Sequence, residues 1–226
     1  MFSVVIPLFN ENENIKLLLE EINNNLKDFK NYEIILIDDA STDNTLEVIK
    51  KIKNKSYKIL TNETNRGQSF SIHKGIKNAV NKIIVTIDGD GQNDPADIPK
   101  LLNLYFTNSE IKLVGGIRIK RKDSYIKIIS SRIANSIRSK ILNDECQDTG
   151  CSLKVFDKDI FLNFSYFNGI HRFLPALFNG YRHTTKFIEV NHRKRKHGTS
   201  KYGTINRLFI GVRDIFKVMK MIKNKI

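Results

Sequence analysis

The sequence predicts an α/β fold, a mostly parallel sheet flanked by helices, and three observations predict it. Short apolar runs alternate with segments of helical period through the amino half, which is the signature of successive βαβ units. The run Ile83-Ile84-Val85-Thr86-Ile87 is β-branched throughout and reads as a strand buried on both faces. It runs into Asp88-Gly89-Asp90-Gly91, which cannot stay in that core. These residues therefore mark the strand's carboxyl end, the edge where open α/β sheets bind ligands.

Each element has its own justification. Phe2–Pro7 is a short apolar strand. Ile15, Leu18, Leu19, Ile22 and Leu26 recur at helical spacing within 12–29. Tyr32–Ile37 is a second strand, ending in Asp38-Asp39, and Ser41 or Thr42 opens a helix through Ile52. Tyr57–Leu60 is a strand, Ser69–Val80 a helix and Ile83–Ile87 the fourth strand. A helix over Asp97–Phe106 follows Pro95, and Ile111–Gly115 is a further strand. In the carboxyl half, Ser124–Leu142 carries Ile126, Ile129, Ile133, Ile137 and Ile141 on one helical face. Cys151–Phe156 and Lys186–His192 are strands, 193–203 is a basic loop, and Ile205–Ile226 is a last helix.

The composition, 40% hydrophobic and 27% charged, is that of an ordinary globular protein. Two cysteines, Cys146 and Cys151, give neither a disulfide framework nor a zinc site and read as small packing residues. Met1–Leu8 is too short for a signal peptide, and no apolar run reaches the roughly 18 residues of a transmembrane helix. The net charge of +14 is unevenly placed. Residues 1–112 carry 14 Lys+Arg against 16 Asp+Glu, whereas 113–226 carry 24 against 8. A basic bias acting on the whole chain would not split it this way, so the carboxyl half is expected to meet phosphates, nucleic acid or an anionic membrane.

Parallel topology should bring three loops to one edge: Pro7–Glu11, Asp38–Asp43 and Asp88–Gln92. Asp88 and Asp90, with the Gln92 oxygen nearby, suit a hard divalent cation that keeps positions open for phosphate. No G-x-G-x-x-G follows the first strand, which argues against NAD, and no G-x-x-x-x-G-K-[ST] is present, which excludes a P-loop.

Val4-Val5-Ile6-Pro7-Leu8-Phe9-Asn10-Glu11, Ile37-Asp38-Asp39-Ala40-Ser41-Thr42-Asp43-Asn44-Thr45 and Asp88-Gly89-Asp90, in this order, resemble the inverting family 2 glycosyltransferases of GT-A fold. That fold is a Rossmann-like, mostly parallel sheet flanked by helices. Four further stretches look like the polyprenyl-phosphate glycosyltransferases of the dolichol-phosphate mannose synthase type: 116–123, 148–156, 171–175 and 192–202. The resemblance implies a nucleotide-sugar donor, with GDP-mannose and UDP-hexoses both open, and a polyprenyl phosphate acceptor. It implies that Pro7, Phe9, Asn10, Glu11, Asp38 and Asp39 hold the nucleoside. Phe9 stands where the family more often has Tyr. Asp88 and Asp90, with Gln92 as a second metal ligand, would hold the diphosphate through Mg²⁺ or Mn²⁺. Arg118 and Arg132 would bind the acceptor phosphate, and Arg193 and Lys201 would neutralise phosphates from a closing loop. Asp148 would orient the acceptor or a sugar hydroxyl, or else form a structural turn. His171 is either an interior histidine or a sugar contact.

The expected organisation is a catalytic domain over 1–204, with a nucleotide-sugar half (1–115) and an acceptor half (116–204), then an amphipathic helix over 205–226. Ile205, Leu208, Phe209, Val212, Ile215, Phe216, Met219 and Ile222 form a stripe on that helix, flanked by Arg and Lys. The stripe either packs as core or lies in an anionic leaflet. The expected setting is the cytoplasmic face of the inner membrane, peripherally bound, with a membrane-anchoring partner or a homo-oligomer as further options. Other readings are a family 2 transferase acting on a glycan, lipid A or protein, a nucleic-acid binder, and an inactive scaffold. No nucleic-acid motif accompanies the charge, and the metal-site and arginine motifs are intact.

Overall fold

A computed structural model describes residues 1–52, 54, 56–119, 136, 138–195 and 204–225. Among them, seven strands form one sheet: β1 (Phe2–Leu8), β2 (Tyr32–Asp38), β3 (Tyr57–Thr61), β4 (Ile83–Thr86), β5 (Ile111–Arg118), β6 (Lys154–Asp157) and β7 (Thr184–Val190). Their order is β3-β2-β1-β4-β6-β5-β7. β6 runs antiparallel to both β4 and β5, and the other neighbouring pairs are parallel. The chain steps one way from β1 to β2 and β3, then returns to lay β4 on the other side of β1. The crevice at the carboxyl ends of β1 and β4 is thus the topological switch point.

The helices described are α1 (Ile15–Asn25), α2 (Thr45–Lys51), α3 (Gln68–Lys77), α4 (Ile98–Thr107), α5 (Lys158–Leu162), α6 (Leu174–Gly180) and α7 (Thr204–Lys223). Strand period sorts the core into two layers. Val4, Ile6, Ile34, Leu36, Val85, Val114 and Val155 face α1, α2 and α4. Val5, Ile35, Ile37, Ile84, Leu113 and Phe156 face α3, α5, α6 and α7. Every central strand is apolar on both faces because both faces are covered.

Several boundaries differ from expectation for local reasons. α1 begins at Ile15 because Glu11 O caps a turn, accepting from Asn14 N at 3.1 Å and Ile15 N at 3.0 Å. α2 begins at Thr45 because residues 41–43 are bonded to Asp38 and Asn10 instead. β6 begins at Lys154, behind a turn in which Cys151 N donates to Asp148 O at 3.3 Å. The 115/116 boundary falls inside β5, and β6 inserts between β4 and β5, so both halves build one sheet. Of the helix expected over 124–142, residues 136 and 138–142 are described and are helical; the rest lies outside the described residues. Arg132 and Lys201 also lie outside them.

The last helix uses part of its stripe as core: Ile215, Met219 and Ile222 pack on the α6 side, with Val218 fully buried. Val212 and Phe216 stay 49% and 65% exposed. No described helix is long and apolar enough to cross a membrane.

Candidate active site

The three predicted loops do meet at the switch point. Asn10, in the left-handed region at φ 55°, locks the first loop to the second. Its Oδ1 accepts from Thr42 N at 2.8 Å, and its backbone N donates to Ser41 Oγ at 3.0 Å. Glu11 N donates to Thr45 Oγ1 at 2.7 Å, and Asn14 Nδ2 holds Glu11 Oε2 at 2.8 Å. Pro7 and Phe9 are partly buried beside them. Gly89 brings the third loop against the first: a Cβ there would lie 2.4 Å from Leu8 Cδ2 and 3.3 Å from Pro7 O.

The two adjacent aspartates do different work. Asp39 is consumed by the loop after β3, accepting from Asn62 Nδ2 (2.7 Å) and Arg66 N (2.9 Å) on Oδ1 and from Gly67 N (2.7 Å) on Oδ2. Asp38, 2% exposed, accepts from Ser41 N at 3.2 Å on Oδ2. Its Oδ1 is buried with no hydrogen-bond partner among the described residues. A buried unsatisfied carboxylate oxygen is costly, and at a crevice it points to a ligand donor.

Asp88 and Asp90 stand at the other end of the crevice. Burial, and then the negative charge of Asp90, push the Asp88 carboxyl up from 3.8 to about 7. Ser152, Lys154 and Arg118 pull the other way. Asp88 N donates to Ser152 Oγ at 3.1 Å, and Ser152 Oγ donates to Asn93 Oδ1 at 2.7 Å. Gln92 N donates to Asp90 Oδ1 at 3.0 Å, and Gln92 O accepts from Arg193 N at 2.8 Å. Two carboxylates held this close fit a divalent cation, whose charge relieves their repulsion. Among the described residues no group of three or more His, Cys, Asp or Glu could hold a metal. Carboxylate and amide oxygens of this kind suit a hard cation such as Mg²⁺ or Mn²⁺.

β6 explains how the carboxyl half joins in. Because it is antiparallel, its amino end lies at the same edge as the carboxyl ends of β4 and β5. It thus carries residues 148–152 to the site. Arg118 and Asp148 form a forked ion pair, Nε to Oδ2 at 2.7 Å and Nη2 to Oδ1 at 2.8 Å, and Arg118 N also donates to Oδ2 at 3.1 Å. Gly150 makes room for it, since a Cβ there would lie 2.7 Å from Arg118 Nη2. The buried Lys154 ammonium bonds to the Cys151 carbonyl. Cys146 and Cys151 are buried free thiols, both raised by burial.

Arg193, expected to neutralise phosphate, is engaged with two carboxylates in the protein alone. Its guanidinium staples Glu21 of α1 (2.6 Å) to Asp94 (2.6 Å). Arg195, two residues on, reaches Asp90 Oδ2 at 2.5 Å. The loops that carry them run together, with His192 bridged to Asn93. Sequence reasoning gave Arg195 only as a member of the basic run 193–196 and did not single out Ser152, Lys154 or Gln68. Gln68 opens α3 and donates to Asp88 Oδ1 at 2.6 Å; the loop after β3 ends at this same edge, which was the available signal. His171 is half-buried nearby, its Nδ1 2.6 Å from Ser69 Oγ.

A buried orphan acceptor at the end of β2 and paired carboxylates after β4 lie at the switch-point edge of this sheet, and the family comparison makes the chain a glycosyltransferase. The chain belongs to glycosyl transferase family 2, whose profile matches residues 3–164. It is 35% identical over 230 residues to a dodecaprenyl-phosphate galacturonate synthase of Rhizobium johnstonii, covering 99% of this chain and 68% of that one. It is 32% identical over 211 residues to an undecaprenyl-phosphate 4-deoxy-4-formamido-L-arabinose transferase of Aeromonas hydrophila, covering 91% of this chain and 64% of that one. The chain thus spans 68% and 64% of the length of these curated relatives. The fold is that of glucosyl-3-phosphoglycerate synthase from Mycobacterium tuberculosis, solved with Mn²⁺, UDP and glucosyl-3-phosphoglycerate. That likeness has a TM-score of 0.73 at 16% identity, over 97% of this chain and 78% of that one.

Proposed function

We propose that this chain transfers a sugar, with inversion, from a nucleotide-sugar donor to a polyprenyl phosphate. The observation that carries the donor half is the orphan Asp38 Oδ1 across the crevice from Asp88 and Asp90. Relatives named for dodecaprenyl and undecaprenyl phosphate support the acceptor half.

Asp38 Oδ1 is the acceptor offered to a base N–H, which a UDP-hexose or GDP-mannose donor would supply.

Asp88 and Asp90, with Gln92 beside them, would hold Mg²⁺ or Mn²⁺. A divalent cation there supplies neutralisation of the charge that develops on the diphosphate leaving group. The acceptor phosphate is already anionic near neutral pH. Its oxygen attacks the anomeric carbon as the bond to the diphosphate breaks and carries its electron pair away. No strong base is needed, and positioning with charge stabilisation supplies the rate. Arg195 would meet the leaving diphosphate, and Arg118, held by Asp148, would meet the acceptor phosphate; the family resemblance assigns Arg132 to that same phosphate. The family resemblance assigns Lys201 to phosphate neutralisation as well.

The membrane reading rests on Val212 and Phe216, exposed on a helix that also presents Arg213, Lys217, Lys220 and Lys223 to solvent. That combination suits an anionic leaflet at the cytoplasmic face. The test is transfer from radiolabelled nucleotide sugars to undecaprenyl phosphate in detergent, with Mn²⁺ or Mg²⁺. Label entering the organic phase from one of these donors, and lost with EDTA, supports the proposal. Transfer only to a water-soluble acceptor would overturn its acceptor half.

A further inference from the structure

We propose that Gln68 is a positioning residue of the cation site, and that Asp39 is the group that delivers it there; this rests on the divalent-cation reading above. Gln68 is the first residue of α3, and its neighbours on both sides are pinned. Gly67 before it takes φ +83°, a conformation that favours glycine, and its N–H donates to Asp39 Oδ2 at 2.7 Å. Asp39 Oδ1 holds the rest of the loop through Arg66 N and Asn62 Nδ2. Ser69 after it is buried, its Oγ accepting from Gly169 N at 2.7 Å and meeting His171 Nδ1 at 2.6 Å. The Gln68 side chain therefore starts from a fixed backbone and ends with Nε2 donating to Asp88 Oδ1 at 2.6 Å.

Asp88 is restrained at its main chain too, where its N–H donates to Ser152 Oγ. With the backbone held by Ser152 and one carboxylate oxygen held by Gln68, rotation of the carboxylate is fixed and Oδ2 is the oxygen presented to a cation. The contact runs from the amide N–H to Asp88, so the amide oxygen is not the group placed against it. Gln68 thus serves by orienting a ligand rather than by being one. Partners of this kind are worth roughly 10–100-fold in metal affinity. This gives Asp39 an architectural role distinct from that of Asp38, although the two are adjacent in sequence.

The test uses the whole chain and Mn²⁺, followed by electron paramagnetic resonance in the presence of saturating UDP. UDP affinity without metal and the thermal melt are measured alongside. Gln68→Met keeps the length and removes the donor; Gln68→Ala removes both. The expected result for each is roughly tenfold weaker Mn²⁺ binding, with metal-free UDP affinity and melting temperature unchanged. Asp39→Asn is expected to lower Mn²⁺ affinity in the same direction. Wild-type Mn²⁺ affinity in both Gln68 variants overturns the proposal while leaving the cation reading intact. A wild-type protein that takes up no Mn²⁺ with UDP overturns both.

Discussion

Arg195 donates from Nη2 to Oδ2 of Asp90 at 2.5 Å, although 105 residues separate them in sequence. The basic loop thereby places a positive charge where a cation would bind, and it does so in the protein alone. Main-chain pairing between Gln92 and Arg193, and between Asn93 and His192, delivers that guanidinium. A divalent cation bound through Asp90 would compete with Arg195 for that carboxylate, and the guanidinium would then be available to the diphosphate.

Arg195→Ala should therefore have opposite effects on two measurements. Mn²⁺ binding to the nucleotide-free protein should tighten several-fold, roughly 1 kcal/mol, because a charge-assisted bond no longer competes. Turnover should fall by roughly tenfold or more, since a cation near the leaving group is lost. Titration calorimetry with Mn²⁺ and a steady-state assay check the pair. Weaker Mn²⁺ binding in the variant would refute the competition.

The Asp88 carboxyl makes the metal-free protein pH-sensitive. Its value is about 7 in the folded protein against an ordinary 3.8. Between those values the folded state binds more protons than the unfolded one, so this group's contribution to stability falls as pH rises. The loss is complete above about 7. Asp88→Asn removes the penalty, so without metal the variant should melt a few degrees above the parent at pH 8, on the order of 1 kcal/mol or more. At pH 5 the gap should be smaller, and EDTA-treated samples in a thermal melt would display it. A gap that widens toward low pH would contradict the sign.

Arg118 and Asp148 should behave as one unit. Removing either leaves a charge without its forked partner in a poorly solvated place, with side-chain exposures of 15% and 6%. Each alanine variant should cost about 3 kcal/mol in urea unfolding, and the double variant much less than their sum. Arg118→Lys should recover little, because an ammonium cannot reproduce the two-pronged geometry. Additive single costs in the double-mutant cycle would show the pair to be uncoupled.

The legible parts of the site are those where an apolar strand runs into polar residues. Ile37-Asp38 and Ile87-Asp88 announce a strand end by chemistry alone, and parallel topology then brings such ends together. The direction of β6 was not legible, because Lys154-Val155-Phe156 has the same pattern read either way. Its reversal is what carries Asp148 and Ser152 to the site. Arg193 and Arg195 were indistinguishable as members of one basic run. Which of them faces Asp90 depends on a backbone bond to Gln92, set by contacts a hundred residues away. Gln68 carries no charge or motif, and only the loop after β3 ending at this edge pointed toward it.

The last helix tests the membrane reading directly, because its apolar residues now divide into two sets. Ile215, Met219 and Ile222 are packed against the α6 side, and Gly180 leaves space for Ile222: a Cβ there would lie 2.5 Å from Ile222 Cδ1. Val212 and Phe216 face outward among exposed basic residues. Asp214, buried between them in sequence, ties the helix to Arg172 at 3.2 Å, so the outward face is held in register. Val212→Glu with Phe216→Glu should leave the melting temperature within about 2 °C, as expected of surface changes. The same double variant should lose most binding to vesicles rich in phosphatidylglycerol, through lost burial and added repulsion. Ile222→Glu should do the reverse, lowering the melting temperature by burying a charge without a partner. Vesicle co-sedimentation alongside a melt separates the two effects. Full vesicle binding by the double glutamate variant would assign the helix to core packing alone and move the lipid contact elsewhere on the basic half.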